Sequence, residues 1–522
     1  MLTKFYNIVR PFYVIVLSNK ISSQSIGDLQ YLMYMYLYNI TTIINPRYSY
    51  YNDSGLIPKP DNYEYFKQKY EKSSEEYLNA LLHYGFYLIG KLIFSNTIEI
   101  KNQPDEVIKL ILGFTPQIEE IYNSYYTPDF SIFLNEFALL SYEKRNLTFQ
   151  IFECEACYSN PNQQSNGGPG PFPVDVNGTS DEYLSKVKEP LKYNLLQVPT
   201  GLIKNEDGLP IIDKQIPASY RNQTYRGIQY GWLSGFWIND ETRNNLPTVD
   251  YAFINNNTEL NIQINKMLNL YKNLGDNEKI ISEFFNNNLT GGLPTNGVLS
   301  LTSFFFNLKN NISLYDEPSY LFSNASVIID ADIIAWENKR EKFTTRPVCA
   351  IRQFKNSEII ETWYPYKGTV ITTGNKFQPY QDLTFVTPPH AEFLAGHSTA
   401  FAAVSNLFTK LYGTNYYDPF YEYEFDNPEW IYPALKGQTK FIFGQYVVQS
   451  QSSIIEPGLT PQNPIVLTFN TIKEWSDQCA LSRFYGGIHW ESTNKASIQI
   501  GNIVSEESYK KLLEYNIITN LK

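Results

Sequence analysis

Residues 319–347 read SYLFSNASVIIDADIIAWENKREKFTTRP, and the fold is decided by how this stretch is read. Leu321, Val327, Ile328, Ile329, Ile333, Ile334 and Trp336 recur at helical spacing, which predicts a helix over 319–343 with Pro347 marking its end. Near that end stands Lys339, followed seven residues later by Arg346-Pro347. The same period recurs outward. It predicts helices over 28–45 and 73–125, with Tyr77, Leu78, Leu81, Leu82, Tyr84, Leu88 and Leu92 in the second. A further helix starts near 257, turns at Gly275-Asp276 and leads into another through Ile280, Ile281 and Phe284-Phe285. Helices are also expected over 397–412, stopped by Gly413, and over 471–485 and 505–516. No internal repeat or heptad is present. The class is mainly α, with three expected parts: a helical region at 1–157, an irregular Gly/Pro/Asn-rich connection at 158–250, and a catalytic helical bundle at 251–522. Within the bundle, residues 414–466 are rich in Tyr, Pro and Gln and read as an insertion, with short strands at 440–449.

Composition narrows the function. Lys and Arg number 42 against 53 Asp and Glu, a net charge of −11 over 522 residues. A general nucleic-acid or anionic-membrane binder needs a basic surface, so any anion site must be a local cluster of cations. Four cysteines exclude a disulfide scaffold. Cys154 and Cys157 form a CxxC without the second pair a zinc site needs, and Cys349 and Cys479 stand alone, which reads as unpaired thiols in a reducing compartment. No run approaches the ~18–20 apolar residues of a spanning helix. Residues 11–17 are apolar but short and lack a cleavage-site pattern. The expectation is a soluble, intracellular protein with no transmembrane segment and no signal peptide.

Three segments carry chemistry. They are Lys339 with Arg346-Pro347, then LAGHS at 394–398, then Ser482-Arg483 followed by His489. Of four histidines in the chain, His390, His397 and His489 lie in or beside them, and only His83 does not. Lys339, Arg346 and the planar fork of Arg483 are donors suited to an oxyanion. Gly396 lets backbone approach an anion at a helix start. His397 can shuttle a proton, and His489, after Gly486-Gly487, can present a ring nitrogen as nucleophile or metal ligand. Each piece alone is common, and a lone Gly-His-Ser is more often a helix cap. All three in this order point to a site.

In these motifs the chain resembles the vanadium-dependent haloperoxidases within the type 2 phosphatidic acid phosphatase superfamily. The superfamily signature is Lys-x6-Arg-Pro, then Pro-Ser-Gly-His, then Ser-Arg-x5-His. The resemblance extends over roughly 180–505, through LGDNEKIISEFF (274–285), DADIIAWENK (330–339), TPP (387–389) and LSRFYGGIH (481–489). It implies a helical bundle of the vanadium haloperoxidase and acid phosphatase type, and vanadate as cofactor, with phosphate able to take the same place. It implies that His489 bonds vanadium, that Lys339, Arg346, Arg483 and the Gly396 amide hold the oxyanion oxygens, and that His397 is the acid/base. In the phosphatases the His489 position attacks phosphorus, so one cage serves both chemistries.

Two departures qualify the resemblance. Leu394-Ala395 replaces the family's Pro-Ser, removing a hydroxyl that donates to one oxyanion oxygen; such a bond to a charged group is worth ~1.5–3 kcal/mol. Ser398 lies too far along to replace it. Seven residues before His397 the chain has His390, where chloroperoxidases carry phenylalanine and bromoperoxidases histidine. His390 reads either as a surface-loop residue beside Pro389 or as a third catalytic group that bonds peroxide and titrates near neutral pH. The leading expectation is a haloperoxidase oxidising bromide or iodide with hydrogen peroxide. The alternatives are a soluble acid phosphatase acting on a phosphoester through phosphohistidine, and a structural or binding protein that keeps the fold with weakened chemistry.

Overall fold

The computed structural model of the chain describes residues 3–52, 57–149, 172–173, 191–193, 196–201, 220–223, 230–231, 233, 235–238, 240–246, 257–286, 292–417, 422–435 and 437–518. Cys154, Cys157 and most of the expected connection at 158–250 lie outside the described residues.

Helices α1 (Lys4–Ser18), α2 (Ser23–Ile44), α3 (Tyr63–Tyr70), α4 (Glu75–Ile93), α5 (Asp105–Ile111), α6 (Pro116–Tyr125) and α7 (Pro128–Phe149) form the N-terminal part. The short apolar run at 11–17 belongs to α1, whose start is capped by Thr3 accepting from the Tyr6 amide at 3.1 Å. The single helix expected over 73–125 is instead α4, α5 and α6. Pro104 precedes α5, Gly113 has φ +79°, and Pro116 occupies the first turn of α6, so a continuous helix is blocked twice.

Short strands β1 (Phe172–Pro173), β2 (Leu196–Pro199) and β3 (Tyr220–Asn222) follow, with β2 central, parallel to β1 and antiparallel to β3. Then come α8 (Asp240–Asn244), α9 (Asn257–Lys272), α10 (Asp276–Phe284), α11 (Thr295–Lys309), α12 (Glu317–Lys342) and α13 (Pro347–Phe354). A hairpin of β4 (Ile359–Tyr364) and β5 (Gly368–Thr373) precedes α14 (Gly396–Tyr412). Residues 422–468 hold a four-stranded antiparallel sheet, β6 (Glu422–Glu424), β7 (Lys440–Ile442), β8 (Gln445–Val448) and β9 (Ile465–Thr468). Helices α15 (Ile472–Tyr485) and α16 (Glu491–Glu514) close the chain. The protein is mainly helical.

The decisive stretch, α12, is buried on nearly every side, with Leu321, Phe322, Val327, Ile328 and Ala331 in the core and Ser323, Asn324 and Asp330 buried beside them. A helix buried all round is a central helix. It packs against α2, α11, α14 and α16, and one hydrophobic core runs from Phe5 to Ile518. Each fully buried aliphatic side chain in it stabilises the fold by ~1.5–3 kcal/mol. α14 in turn lies on α15 and α16. The α14–α16 approach is close at Gly501, where a Cβ would collide with the Thr399 carbonyl and sit 3.0 Å from Ala402 Cβ. α16 begins fourteen residues before the expected 505, because its buried face mixes Ile500, Val504 and Leu512 with Thr493, Ser497, Gly501, Ser505 and Ser508, small groups that interrupt the apolar stripe.

Candidate oxyanion site

Lys339 lies in the last turn of α12, which ends at Lys342 rather than at Pro347. Phe343 takes the left-handed conformation at φ +50° and reverses the chain. Arg346 is then the N-cap of α13 and Pro347 its first residue, where a missing N–H costs nothing. Both cations therefore turn toward the same segment, 390–394. Lys339 Nζ donates to the carbonyls of Ala391 and Glu392, each at 3.0 Å, and to that of Leu394. Arg346 Nε donates to the His390 carbonyl at 2.9 Å and Nη1 to the Ile488 carbonyl at 2.8 Å. Its Nη2 lies 2.9 Å from His390 Nδ1, and its Nη1 lies 3.1 Å from His489 Nε2.

Arg483, in the last turn of α15, is held by Nε on Ser482 Oγ at 3.0 Å and by Nη2 on the carbonyls of Phe285 at 2.7 Å and Ser282 at 3.3 Å. Its Nη1 has no partner among the described residues. Gly486 and Gly487 then turn the chain to His489. Gly487 has φ +66°, and a side chain there would run into Tyr271 Oη and sit 3.0 Å from Pro379 Cβ. Gly396 opens α14, and the Trp336 ring leaves no room beside it: a Cβ there would lie 3.0 Å from the ring edge. The amides of Gly396, His397 and Ser398 likewise have no partner among the described residues, as expected for the first turn of a helix. His397 Nε2 lies 2.9 Å from Thr295 Oγ1, and the Asn286 backbone also bonds the ring.

All the residues singled out in the sequence thus meet in one place. Lys339, Arg346, Arg483 and His489 form the buried floor, while His390, Gly396 and His397 are half-buried at its rim. His390 is no isolated loop residue: it bonds Arg346 and lies 5.3 Å from the Trp336 ring. Ala395 is fully buried with its amide on Ser497 Oγ at 2.9 Å. Ser398 Oγ donates to Asn494 at 3.0 Å, which leaves the hydroxyl engaged away from the position a serine at 395 would serve.

The electrostatics are those of a cation surplus. Burial, then Arg346, holds Lys339 well below the usual lysine range, and burial lowers Arg483 to about 10. His489 is depressed by burial and then by Arg346 and Lys339; His390 by burial and then by Lys339 and Arg346; His397 by burial and then by Arg483. The expected titration of His390 near neutral pH is therefore corrected: its ring is neutral well below that range. Its Nδ1 lies 2.9 Å from Arg346 Nη2, which only donates, and 3.2 Å from the Ala391 carbonyl, which only accepts, so these contacts hold the ring in place without fixing its tautomer.

Residues the sequence did not point to complete the surroundings. Glu392, fully buried, takes His489 Nδ1 at 2.9 Å, and burial pushes its carboxyl up to about 7 against the pull of Arg346 and Lys339. Thr295, Trp336 and Ser497 also border the site. None lies at a spacing that marks a motif, although Glu392 stands between two residues that do.

Three desolvated cations would repel one another without a counter-charge. The first-turn amides of α14 and Nη1 of Arg483, which have no partner among the described residues, add donors of the kind that suit a multiply charged oxyanion.

Residues 319–516 match the family model of the VCPO second helical-bundle domain. No curated protein sequence matches the chain. Among solved structures, the apo-type bacterial vanadium-dependent chloroperoxidase superposes with a TM-score of 0.62 at 15% identity, covering 95% of this chain and 95% of that one. Its holo-type gives 0.59 at 15% identity over 95% and 94%. A bacterial vanadium-dependent iodoperoxidase gives 0.58 at 14% identity over 98% and 96%. The chain has the vanadium-haloperoxidase fold over nearly its whole length. Among the described residues no helix is long and apolar enough to cross a membrane.

Proposed function

We propose that the chain is a vanadate-dependent haloperoxidase, oxidising bromide or iodide with hydrogen peroxide. The observation that carries this reading is the convergence of Lys339, Arg346, Arg483, His489 and the α14 N-terminus on one buried place inside a vanadium-haloperoxidase fold. The residues fit vanadate: buried cations against a multiply charged oxyanion, helix-start amides with no partner among the described residues, and one imidazole whose Nε2 faces the cage beside Arg346.

In this reading His489 Nε2 would bond vanadium, and Arg346, Lys339, Arg483 and the Gly396 amide would neutralise and hold the oxygens. When bound, vanadate supplies the electrophilic centre at which hydrogen peroxide is activated toward halide. The residues of the chain do the rest. His397, neutral in its buried place beside Arg483, is in the form that accepts a proton from peroxide. His390 is held at the rim through Nδ1, beside Arg346 Nη2 and the Ala391 carbonyl. Trp336, packed against Gly396 and His390, forms one wall of the cage.

The same floor suits a phosphoester, since a phosphoryl group in transfer has similar equatorial charge and His489 Nε2 could attack phosphorus. The test is halide oxidation by the purified chain after reconstitution with orthovanadate in phosphate-free buffer, beside hydrolysis of an aryl phosphate. Iodide and bromide oxidation that depends on vanadate is the expected result. Phosphate ester turnover with no halide oxidation at any pH would move the assignment to the acid phosphatase.

A further inference from the structure

We infer that Glu392 is the positioning residue of His489, holding its proton on Nδ1 and its lone pair at Nε2 toward the cage. The inference rests on the oxyanion reading given above and adds a residue to it.

The two ring nitrogens of His489 have unlike partners. Nε2 lies 3.1 Å from Arg346 Nη1. Because the guanidinium has no acceptor, Nε2 must accept, and the neutral ring carries its proton on Nδ1. That N–H is aimed at Glu392 Oε1, 2.9 Å away. The same oxygen accepts from the Trp490 amide at 3.2 Å, and Oε2 accepts from Thr493 Oγ1 at 3.0 Å. All three donors come from residues 489–493, so one carboxylate orients the ring and fastens the entry to α16 together. The backbone carbonyl of Glu392 receives Lys339 Nζ at 3.0 Å, which ties the same residue to the cation floor.

The arrangement matters because only one tautomer is useful. A neutral imidazole with its proton on Nε2 has no lone pair there to ligate a metal or attack phosphorus. With no acceptor at Nδ1 the ring would divide between the two forms and turn more freely. Glu392 lies at the Nδ1 edge, away from Nε2, so it acts through the ring and not on the oxyanion.

The test is 15N NMR of histidine-labelled protein, tractable because the chain has four histidines and His489→Ala assigns the one in question. It is paired with calorimetric titration using orthovanadate and, separately, inorganic phosphate. In the wild type His489 should be protonated on Nδ1 and unprotonated on Nε2. Glu392→Leu should give mixed tautomers and bind either oxyanion at least ~10-fold more weakly, the scale of lost support behind a metal ligand. Glu392→Gln keeps an acceptor oxygen for Nδ1 and turns its amide toward Thr493, so it should keep the tautomer and bind within about threefold of wild type. A wild-type ring protonated on Nε2 overturns the inference. So does a folded Glu392→Leu protein with unchanged tautomer and affinity. Should that variant not fold, a Glu392→Gln protein that keeps the tautomer but loses binding would assign the effect to charge and overturn the positioning role. A wild-type protein that binds neither oxyanion would sink the oxyanion reading, while the tautomer would still judge Glu392.

Discussion

Replacing Ala395 with serine tests the cage at the place where the chain departs from the signature it resembles. Ala395 is the N-cap of α14 and fully buried. Its amide is held by Ser497, and its carbonyl takes the Thr399 amide and the Thr399 hydroxyl, each at 3.0 Å. The backbone is thus fixed, and the substitution changes one side chain. Without an anion, the new oxygen can accept from one of the unpaired first-turn amides, a cap worth about 0.5–2 kcal/mol. When an oxyanion binds, the hydroxyl turns and donates to it. A hydrogen bond to a charged group gains about 1.5–3 kcal/mol, from which the surrendered cap, about 1 kcal/mol, is subtracted. The net of about 0.5–2 kcal/mol corresponds to roughly 2- to 30-fold tighter binding at 1.4 kcal/mol per decade. The assay is calorimetric titration with orthovanadate in phosphate-free buffer, together with thermal denaturation of the anion-free protein. A variant that gains stability but binds no more tightly would refute the reasoning, because the hydroxyl would then cap the helix without facing the anion. A variant that is both less stable and a weaker binder would mean that position 395 offers a hydroxyl no partner at all.

Other perturbations follow from the same geometry. His489→Ala should abolish covalent attachment of phosphate and ligation of vanadate while the protein stays folded, since Glu392 keeps the Trp490 and Thr493 donors; unchanged vanadate affinity would remove His489 from its role. His390→Phe should lower bromide oxidation or shift preference toward chloride with vanadate affinity nearly intact. Because His390 is neutral well below the usual histidine range, the wild-type bromide rate should show no inflection from it between about pH 6 and 8, and the rate profile of the variant against the wild type checks this. Glu317, buried with one carboxyl oxygen unpartnered, is pushed by burial up to about 8. A carboxyl raised on folding contributes stability that is full below its unfolded pKa, ~4.5, and is lost as pH rises through about 8. Glu317→Gln should therefore remove a downward slope of stability over that window and be more stable at pH 8 by a few kcal/mol, at ~1.4 kcal/mol per pH unit, as read by denaturant titration.

The sequence by itself determined the class and the chemical inventory. Apolar residues at helical spacing are a local signal, so α9, α10, α14 and α15, and α12 with its apolar residues on nearly every side, are legible in the sequence. The three motif segments were legible because chemistry needs particular side chains at particular short spacings, and because histidine is rare in this chain. Breaks were read less well. Phe343, in the left-handed region, ends α12, and Pro347 instead starts α13; prolines and a left-handed glycine divide 73–125 into three helices. The first turns of α16 are hard to read because Ser, Thr and Gly interrupt its apolar core positions, and their burial depends on how closely α14 approaches. Only the tertiary structure decided what lies behind the motif residues. Glu392 reaches His489 across nearly a hundred positions, Thr295 reaches His397 across a similar gap, and the carbonyls of 390–394 take up Lys339 and Arg346. The same packing keeps His390 neutral, since burial and two cations, Lys339 of α12 and Arg346 at the start of α13, set its charge. Identity at a position is written in the chain, but dielectric, hydrogen-bond partner and tautomer belong to whatever the fold brings alongside it.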